Sequence, residues 1–268
     1  MHPILLRWGE AVVSTYAFLL SFAFFVALFT LFALTKGRIE RDRVVNLSIG
    51  TFLSGLLGAR LLHIAVHFDR FWNDPNRVFA LLEGGVVYYG GFLGGAAFVL
   101  WRLRSWTRDA RLTVIAAAFP ALAWAQSVGR LGCFFNGCCF GRRCEFPWGV
   151  TFSDPHSVAE PLGVPLHPTQ LYEAVATLFL GAGLFWFVRR AQRRGVAPAR
   201  SARSSAVGYL FGYGVLRFLI EFTRGDLERG SAWGLSTSQW ISIGLIGTAV
   251  VLLGSRSTEV PATLTHDE

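Results

Sequence analysis

The residues with chemical potential in this 268-residue chain are ionisable side chains inside apolar runs. Tyr213, Arg217 and Glu221 recur every four positions, so on a helix they share one face. Arg60, His63 and His67 repeat that pattern earlier in the chain. Arg130 stands in Gly129-Arg130-Leu131-Gly132, which reads as a flexible collar able to bring backbone amides and a guanidinium to an anion. A charge at bilayer depth costs about 2.5 to 3.5 kcal/mol on insertion scales, so each such residue needs a partner or a purpose. Guanidinium groups bind phosphate in bidentate fashion, and the phosphates available at that depth belong to phospholipids. The plainer alternatives are an Arg217 to Glu221 ion pair with a structural role, and snorkelling of Arg60, His63 and His67 towards an interface. No phosphate loop, serine nucleophile elbow or zinc-protease helix motif is present.

The elements that must position these residues are membrane helices. Hydrophobic residues make up 53% of the chain, charged residues only 16%, and the mean hydropathy is +0.44. The charges are bunched between long apolar runs, as helices that cross lipid must be punctuated. A net charge of +8 would suggest nucleic acid in a soluble protein, but here the basic residues flank apolar segments and serve topology, so no nucleic-acid partner is expected. The first run, 11–35, is too long for a cleavable signal. The expected fold is an all-α integral membrane protein with about seven transmembrane helices, near 11–35, 44–68, 86–101, 112–129, 170–188, 206–222 and 236–254. Gly84 and Gly85 would extend the short third helix, and Gly90, Gly91, Gly94 and Gly95 suit close helix packing.

Orientation follows from the loops. Lys36 to Arg43, Arg102 to Arg111 and Arg189 to Arg203 lie in alternate connections, and the positive-inside rule places them in the cytoplasm. The N-terminus is then outside and the C-terminus inside. Residues 1–255 form one polytopic domain, with an outward-facing loop at about 130–167 and a polar cytoplasmic tail at 256–268. The stretch from Arg189 to Ser205 reads as a solvated linker. The outward loop is rich in aromatic residues, among them Phe134, Phe140 and Phe152, which argues for ordered packing. By this topology Arg60, Arg130, Arg217 and Glu221 all fall towards the outer ends of their helices.

Four ordered blocks carry a family resemblance. They are Tyr88-Tyr89-Gly90-Gly91-Phe92-Leu93-Gly94-Gly95, Gly129 to Arg142, His167-Pro168-Thr169-Gln170-Leu171-Tyr172-Glu173, and Tyr213 to Phe222. The chain resembles the prolipoprotein diacylglyceryl transferases, seven-helix enzymes of the bacterial plasma membrane. The resemblance implies transfer of the diacylglyceryl group of phosphatidylglycerol to the thiol of a cysteine in prolipoprotein signal peptides, with no cofactor and an active site towards the outer face. It implies that Arg130 and Arg217 bind the lipid phosphate and stabilise the leaving group. Asn136 and Gly141 would shape the signature loop, Tyr16 and Tyr213 would line the site, and Glu221 would orient Arg217; Arg60 is expected at the site from the topology above. Three departures stand out: Tyr89 occupies the place of a usual His, Cys133 that of a common Asn and Cys138 that of a common Glu. A phenol ordinarily titrates near pH 10 and is a poor base at neutrality. His167, His63, or a guanidinium that lowers the thiol pKa without any dedicated base, are the alternatives. Rival readings keep the headgroup site but change the acceptor, or make the protein a non-catalytic lipid binder or transporter.

The four cysteines fall in one segment as C-x4-C-C-x4-C, from Cys133 to Cys144. Zinc sites usually show C-x2-C spacing, so the expectation is no metal, with small-residue packing or one disulfide in its place.

Overall fold

The computed structural model describes residues 2–9, 11–73, 87–225 and 230–255. The expected extension at Gly84 and Gly85 and the tail at 256–268 lie outside them. Among the described residues are seven long helices and one short one: α1 (Thr15–Thr35), α2 (Arg41–Val66), the short α3 (Phe68–Asn73), α4 (Tyr88–Leu103), α5 (Arg108–Asn136), α6 (Thr169–Arg193), α7 (Pro198–Glu221) and α8 (Thr237–Gly254). Five of them, α1, α2, α5, α6 and α8, are long and apolar enough to cross a membrane. At 16 residues α4 is short for a span, and α7 carries Arg200, Arg203 and Arg217.

The distribution of side chains is that of a protein solvated by lipid. Phe18, Phe22, Phe25 and Phe29 on α1 and Phe179 and Trp186 on α6 face outward, while Gln170, Glu173, Thr177, Ser205 and Ser242 are buried. With no water to release, apolar residues gain nothing by turning inward, and polar groups find their partners on neighbouring helices.

Three elements differ from the sequence expectation. The first helix begins at Thr15 rather than at residue 11, because Ala11–Ser14 (β2) pairs antiparallel with Ile4–Trp8 (β1) across a turn at Gly9, whose φ is +59°. Val12 and Val13 are β-branched and favour the strand, and the Ser14 hydroxyl accepts from Ala17 N–H to cap α1. The fourth expected helix runs on to Asn136: it continues past Pro120, which leaves out one rung of the hydrogen-bond ladder, and ends only at the left-handed Gly137. Gly129 to Gly132 is therefore helical, not a flexible collar. Finally, the basic stretch from Arg189 is not a solvated linker: α6 extends to Arg193 and α7 starts at Pro198, leaving only 194–197 between them. Proline fits that first helical position, where no intrahelical donor is needed.

Those arginines have a structural role at one end of the bundle. Arg189 donates to Ala33 O at 2.6 Å, Gln192 to Leu34 O at 2.6 Å, and Arg38 to Gln192 O at 3.2 Å. Arg203 donates to Leu252 O and Leu253 O at the end of α8, both at 2.6 Å. Carbonyls at a helix C-terminus lack intrahelical partners, and a positive charge there suits the dipole. Beneath them Leu34, Ala116, Ala117, Val188 and Ala202 form an apolar core.

Gathered at the opposite end, residues 137–168 fold over the helices with a core of their own, Phe152, Ala159 and Leu166 packed by Phe134 and Phe140. The short hairpin of β3 (Val150–Thr151) and β4 (Pro165–Leu166) holds that core together. Phe134, Phe140 and Phe152 thus pack in order, as their abundance suggested, while Phe146 and Trp148 stack on one another at the surface.

Candidate functional site

Helices α5, α6 and α7 meet around a carboxylate. Glu173 on α6 is 1% exposed. Its Oε1 receives Arg130 Nη2 of α5 at 3.0 Å, Gln126 Nε2 of α5 at 3.0 Å and the Tyr213 hydroxyl of α7 at 3.1 Å. Gln126 Oε1 in turn accepts from the Tyr209 hydroxyl at 3.0 Å, and the rings of Tyr209 and Tyr213 stack at 5.7 Å. A buried ion pair repays its desolvation only when further hydrogen bonds support it, and this network supplies them. One guanidinium is thereby fixed in orientation, with a fifth of the Arg130 side chain still accessible.

A second guanidinium lies one turn along α7 from Tyr213. Arg217 Nη1 faces Glu221 Oε2 at 2.7 Å, and Nη2 donates to Ser238 Oγ at 2.9 Å. Glu221 Oε1 accepts from the Ser236 hydroxyl at 2.8 Å, and Ser236 is the N-cap of α8, closed by a capping box with Gln239. Arg224 approaches the same carboxylate at 3.9 Å. The Arg217 to Glu221 contact is close but not aligned as a hydrogen bond, so Nη1 stays buried without an acceptor among the described residues. Tyr213 lies within electrostatic reach of Glu173, Arg130 and Arg217, which makes it the link between the two cations.

The signature loop sits at the end of α5. Gly137 takes φ +82°, its N–H donates to Phe134 O and that of Cys138 to Cys133 O, a Schellman-type ending. Cys139 also adopts a left-handed φ of 61°, which for a residue with a Cβ costs about 1 to 2 kcal/mol. The first turn of α6 holds this backbone: Thr169 Oγ1 donates to Cys139 O and Gln170 Nε2 to Cys138 O, both at 2.7 Å. Further along, Gly141 N–H donates to His167 O at 2.9 Å and Arg142 N–H to Thr223 O at 2.9 Å, so the loop is stitched to both the start of α6 and the end of α7. A Cβ at Gly141 would lie 2.5 Å from His167 Cβ and from Thr223 O, so only glycine fits.

Of the remaining expected residues, Tyr16 packs over Gly132, within electrostatic reach of Arg130 and the nearby sulfurs. Asn136 closes α5, and its carbonyl accepts from Val158 N–H at 3.1 Å. His167 is buried on the loop side, with Nδ1 3.1 Å from the Tyr172 hydroxyl. Arg60 and Tyr89 belong to a different substructure, the α2–α4 pair. Arg60 is buried with its guanidinium over the Phe71 ring at 5.6 Å, and Tyr89 is 58% exposed. The rings of His63, on the same helix as Arg60, and of His67, its C-cap residue, lie 4.5 Å apart at a 37° tilt. The geometry therefore gathers Tyr16, Arg130, Tyr213, Arg217 and Glu221 around the α5–α7 core.

Sequence reasoning missed Gln126, Glu173, Tyr209, Ser236 and Ser238. Glu173 carried the signal that should have found it: an acid in the second turn of an apolar helix, three positions after a glutamine. An apolar groove of about 330 Å³ between α1, α5 and α6, lined by Phe22, Phe25, Phe29, Trp124 and Phe185, has no ionisable lining and is no part of this site.

A sequence model of the family described as prolipoprotein diacylglyceryl transferase matches residues 3–254. The chain belongs to that family. Among similar proteins, a phosphatidylglycerol--prolipoprotein diacylglyceryl transferase of Clostridium tetani is 33% identical over 244 residues, covering 91% of this chain and 93% of that protein. One of the same name, numbered 2, from Clostridium perfringens is 32% identical, covering 90% of each chain. Another from Idiomarina loihiensis is 32% identical over 266 residues, covering 97% of this chain and 91% of its own. The matched span of the family takes in every helix described above, both arginines and the stitched loop.

Proposed function

We propose that this chain transfers the diacylglyceryl group of phosphatidylglycerol to the cysteine thiol of prolipoprotein signal peptides. A carbon–sulfur bond forms, the glycerol carbon–oxygen bond to phosphate breaks, and glycerol phosphate leaves. The observation that carries this reading is the pair of buried guanidiniums, Arg130 on Glu173 and Arg217 on Glu221, joined through Tyr213 at the core of a lipid-facing bundle. Negative charge grows on the phosphate oxygen as the bond breaks, and fixed cations in a water-poor site stabilise it without reorganising. Arg217, held between Glu221 and Ser238, supplies one of the two fixed cations. Asn136 and Gly141 hold the loop against the helices, and Tyr16 covers the site from α1, while Arg60 and Tyr89 would meet the substrate from the separate α2–α4 pair. His167 is the imidazole whose backbone pairs with the signature loop, accepting from Gly141 N–H and donating to Arg142 O.

In this reading the protein is a multi-pass protein of the bacterial plasma membrane with seven spans. The arginine-rich end is cytoplasmic, the N-terminus and the cysteine loop face outward, and no cofactor is needed for the transfer. Purified protein incubated with phosphatidylglycerol and a lipobox peptide should yield the thioether peptide. Absence of product, with lipid still bound, would leave a headgroup-binding protein instead. Orientation is tested with single cysteines in spheroplasts and an impermeant thiol reagent. Labelling at an engineered Cys in 36–43, but not in the 138–144 loop, would reverse the topology.

A further inference from the structure

The transfer proposed above leaves three thiols without a task. The Sγ atoms of Cys133, Cys138 and Cys139 all lie within 4.8 Å of one another, and each sulfur is within hydrogen-bonding reach of the other two. We infer that Cys133, Cys138 and Cys139 form a three-thiolate binding site for a thiophilic cation of the zinc(II) class, with the fourth coordination place left open.

The C-x4-C-C spacing does not announce such a site, because the convergence comes from the helix ending and not from a zinc knuckle. Cys133 stands in the last turn of α5. The left-handed Gly137 and Cys139 then turn the chain back so that two further sulfurs return onto the first. Cys139 holds a conformation in which glycine would be cheaper, so its thiol is where the gain must lie. The loop carbonyls of Cys138 and Cys139 are pinned by Gln170 and Thr169, which makes the arrangement preformed. Sulfurs that all lie within 4.8 Å of one another need only a small adjustment to reach the edge of about 3.8 Å of a tetrahedron with zinc–sulfur bonds of about 2.3 Å. Three thiolates around a divalent ion leave one net negative charge, and Arg130 and Arg224 are cations within electrostatic reach of Cys139. The Asn136 side chain adds a hydrogen bond at Cys138, the kind of outer contact that orients a ligand. Cys144 is not a fourth ligand. It is buried outside the trio, with its sulfur 3.9 Å from Phe146 O. Binding replaces three thiol protons by one ion and releases them to solvent, with no oxidant involved.

The test uses the full chain in detergent, reduced, stripped with chelator and titrated with Zn²⁺ and separately with Co²⁺. The expected result is one ion per chain, a thiolate-to-cobalt charge-transfer absorption, and protection of Cys133, Cys138 and Cys139 from alkylation as mapped by mass spectrometry. Cys138→Ser should weaken binding by at least about tenfold, the lower bound for outer contacts, and Cys144→Ala should leave it unchanged. Should Cys138→Ser fail to fold, alkylation protection in the wild type decides alone. The inference is overturned if the reduced protein shows three alkylatable thiols at saturating Zn²⁺ and no cobalt–thiolate band. It is equally overturned if a variant with all three cysteines changed to serine binds as tightly. None of these readouts depends on transferase activity.

Discussion

Two halves of this bundle are held together by opposite means. Helices α5, α6 and α7 are joined by side chains: Glu173 alone gathers one ion pair and two hydrogen bonds from two other helices, and Ser127 Oγ donates to Ala174 O at 2.7 Å. Helices α2 and α4 are joined by the absence of side chains. A Cβ on Gly58 would come within 3.0 Å of Gly94 Cα, and one on Gly90 within 2.6 Å of Leu62 Cβ. The first half fixes charges in place, as an anion site requires. The second brings two backbones close and leaves the Tyr89 side chain on an exposed face. Removing a group should damage the first half, and adding one should damage the second.

The largest expected effect lies with the two cations. Arg130→Ala and Arg217→Ala should each lower turnover by at least about 100-fold, the scale of losing a fixed donor to a developing anion. Lysine at either place should restore little, because an ammonium cannot reproduce a guanidinium held by a carboxylate on one side and donating on the other. Retained turnover in both alanine variants at equal expression would reduce the arginines to structural parts.

Next comes Glu173, where stability and activity should fall together. Glu173→Ala strands Arg130, Gln126 and Tyr213 in the core, and breaking one side of a buried pair costs about 3 to 5 kcal/mol. Glu173→Gln keeps an acceptor for the tyrosine and the glutamine while removing the charge, so its thermal midpoint in detergent should lie between those of wild type and Glu173→Ala. If the two variants melt alike, the ion pair and not the hydrogen-bond network holds the three helices.

The glycine half yields a sharper contrast. Gly90→Ala places a methyl against the Gly58 backbone and Leu62, and overpacking of this kind costs about 1 to 3 kcal/mol. Gly91→Ala meets Gly55 O at 3.4 Å and Ala59 Cβ at 3.5 Å, ordinary contact distances, and should be close to neutral. Equal melting of the two would mean that α2 and α4 slide apart at little cost.

The same division explains which parts of the molecule are legible in its sequence. Apolar runs separated by basic loops imply seven long helices, and the period-four pattern of α7 by itself puts Tyr213, Arg217 and Glu221 on one face. The end of α5 is harder to place, because glycines and a string of cysteines read as a loop, while Gly132 in fact serves the approach of Tyr16. Ser236 and Ser238 are invisible in the sequence because their roles depend on α8 beginning beside the end of α7, a tertiary fact no local pattern encodes. Glu173 stands in the second turn of an apolar helix, which marks it as an acid needing a partner, but which partners bury it follows only from the packing of α5 and α7 around it.

Tyr89 should show the smallest effect, and it tests whether the α2–α4 half contributes chemistry or only a wall. Thiol alkylation needs a thiolate, and a cysteine thiol ordinarily titrates near pH 8.5. A guanidinium beside the acceptor thiol raises the thiolate fraction at neutral pH with no proton acceptor in the protein, and the proton passes to solvent. Tyr89 stands on an exposed face of α4, on the half of the bundle built for close packing and not for charge. In that role its hydroxyl orients substrate, and Tyr89→Phe should slow turnover by about tenfold or less, whereas loss of a required general base should cost roughly 100-fold or more. His167→Gln separates the remaining candidate, since His167 pairs with Tyr172 and with the loop backbone, and its loss should be felt in folding before chemistry. The measurement is the pH profile of turnover for wild type, Tyr89→Phe and His167→Gln with lipid and acceptor peptide both varied. With guanidinium activation the Tyr89→Phe profile keeps the shape of the wild type at lower amplitude. A profile that loses its rise towards alkaline pH, in a variant that still binds phosphatidylglycerol, would move the base from the arginine-rich half to the glycine-packed one.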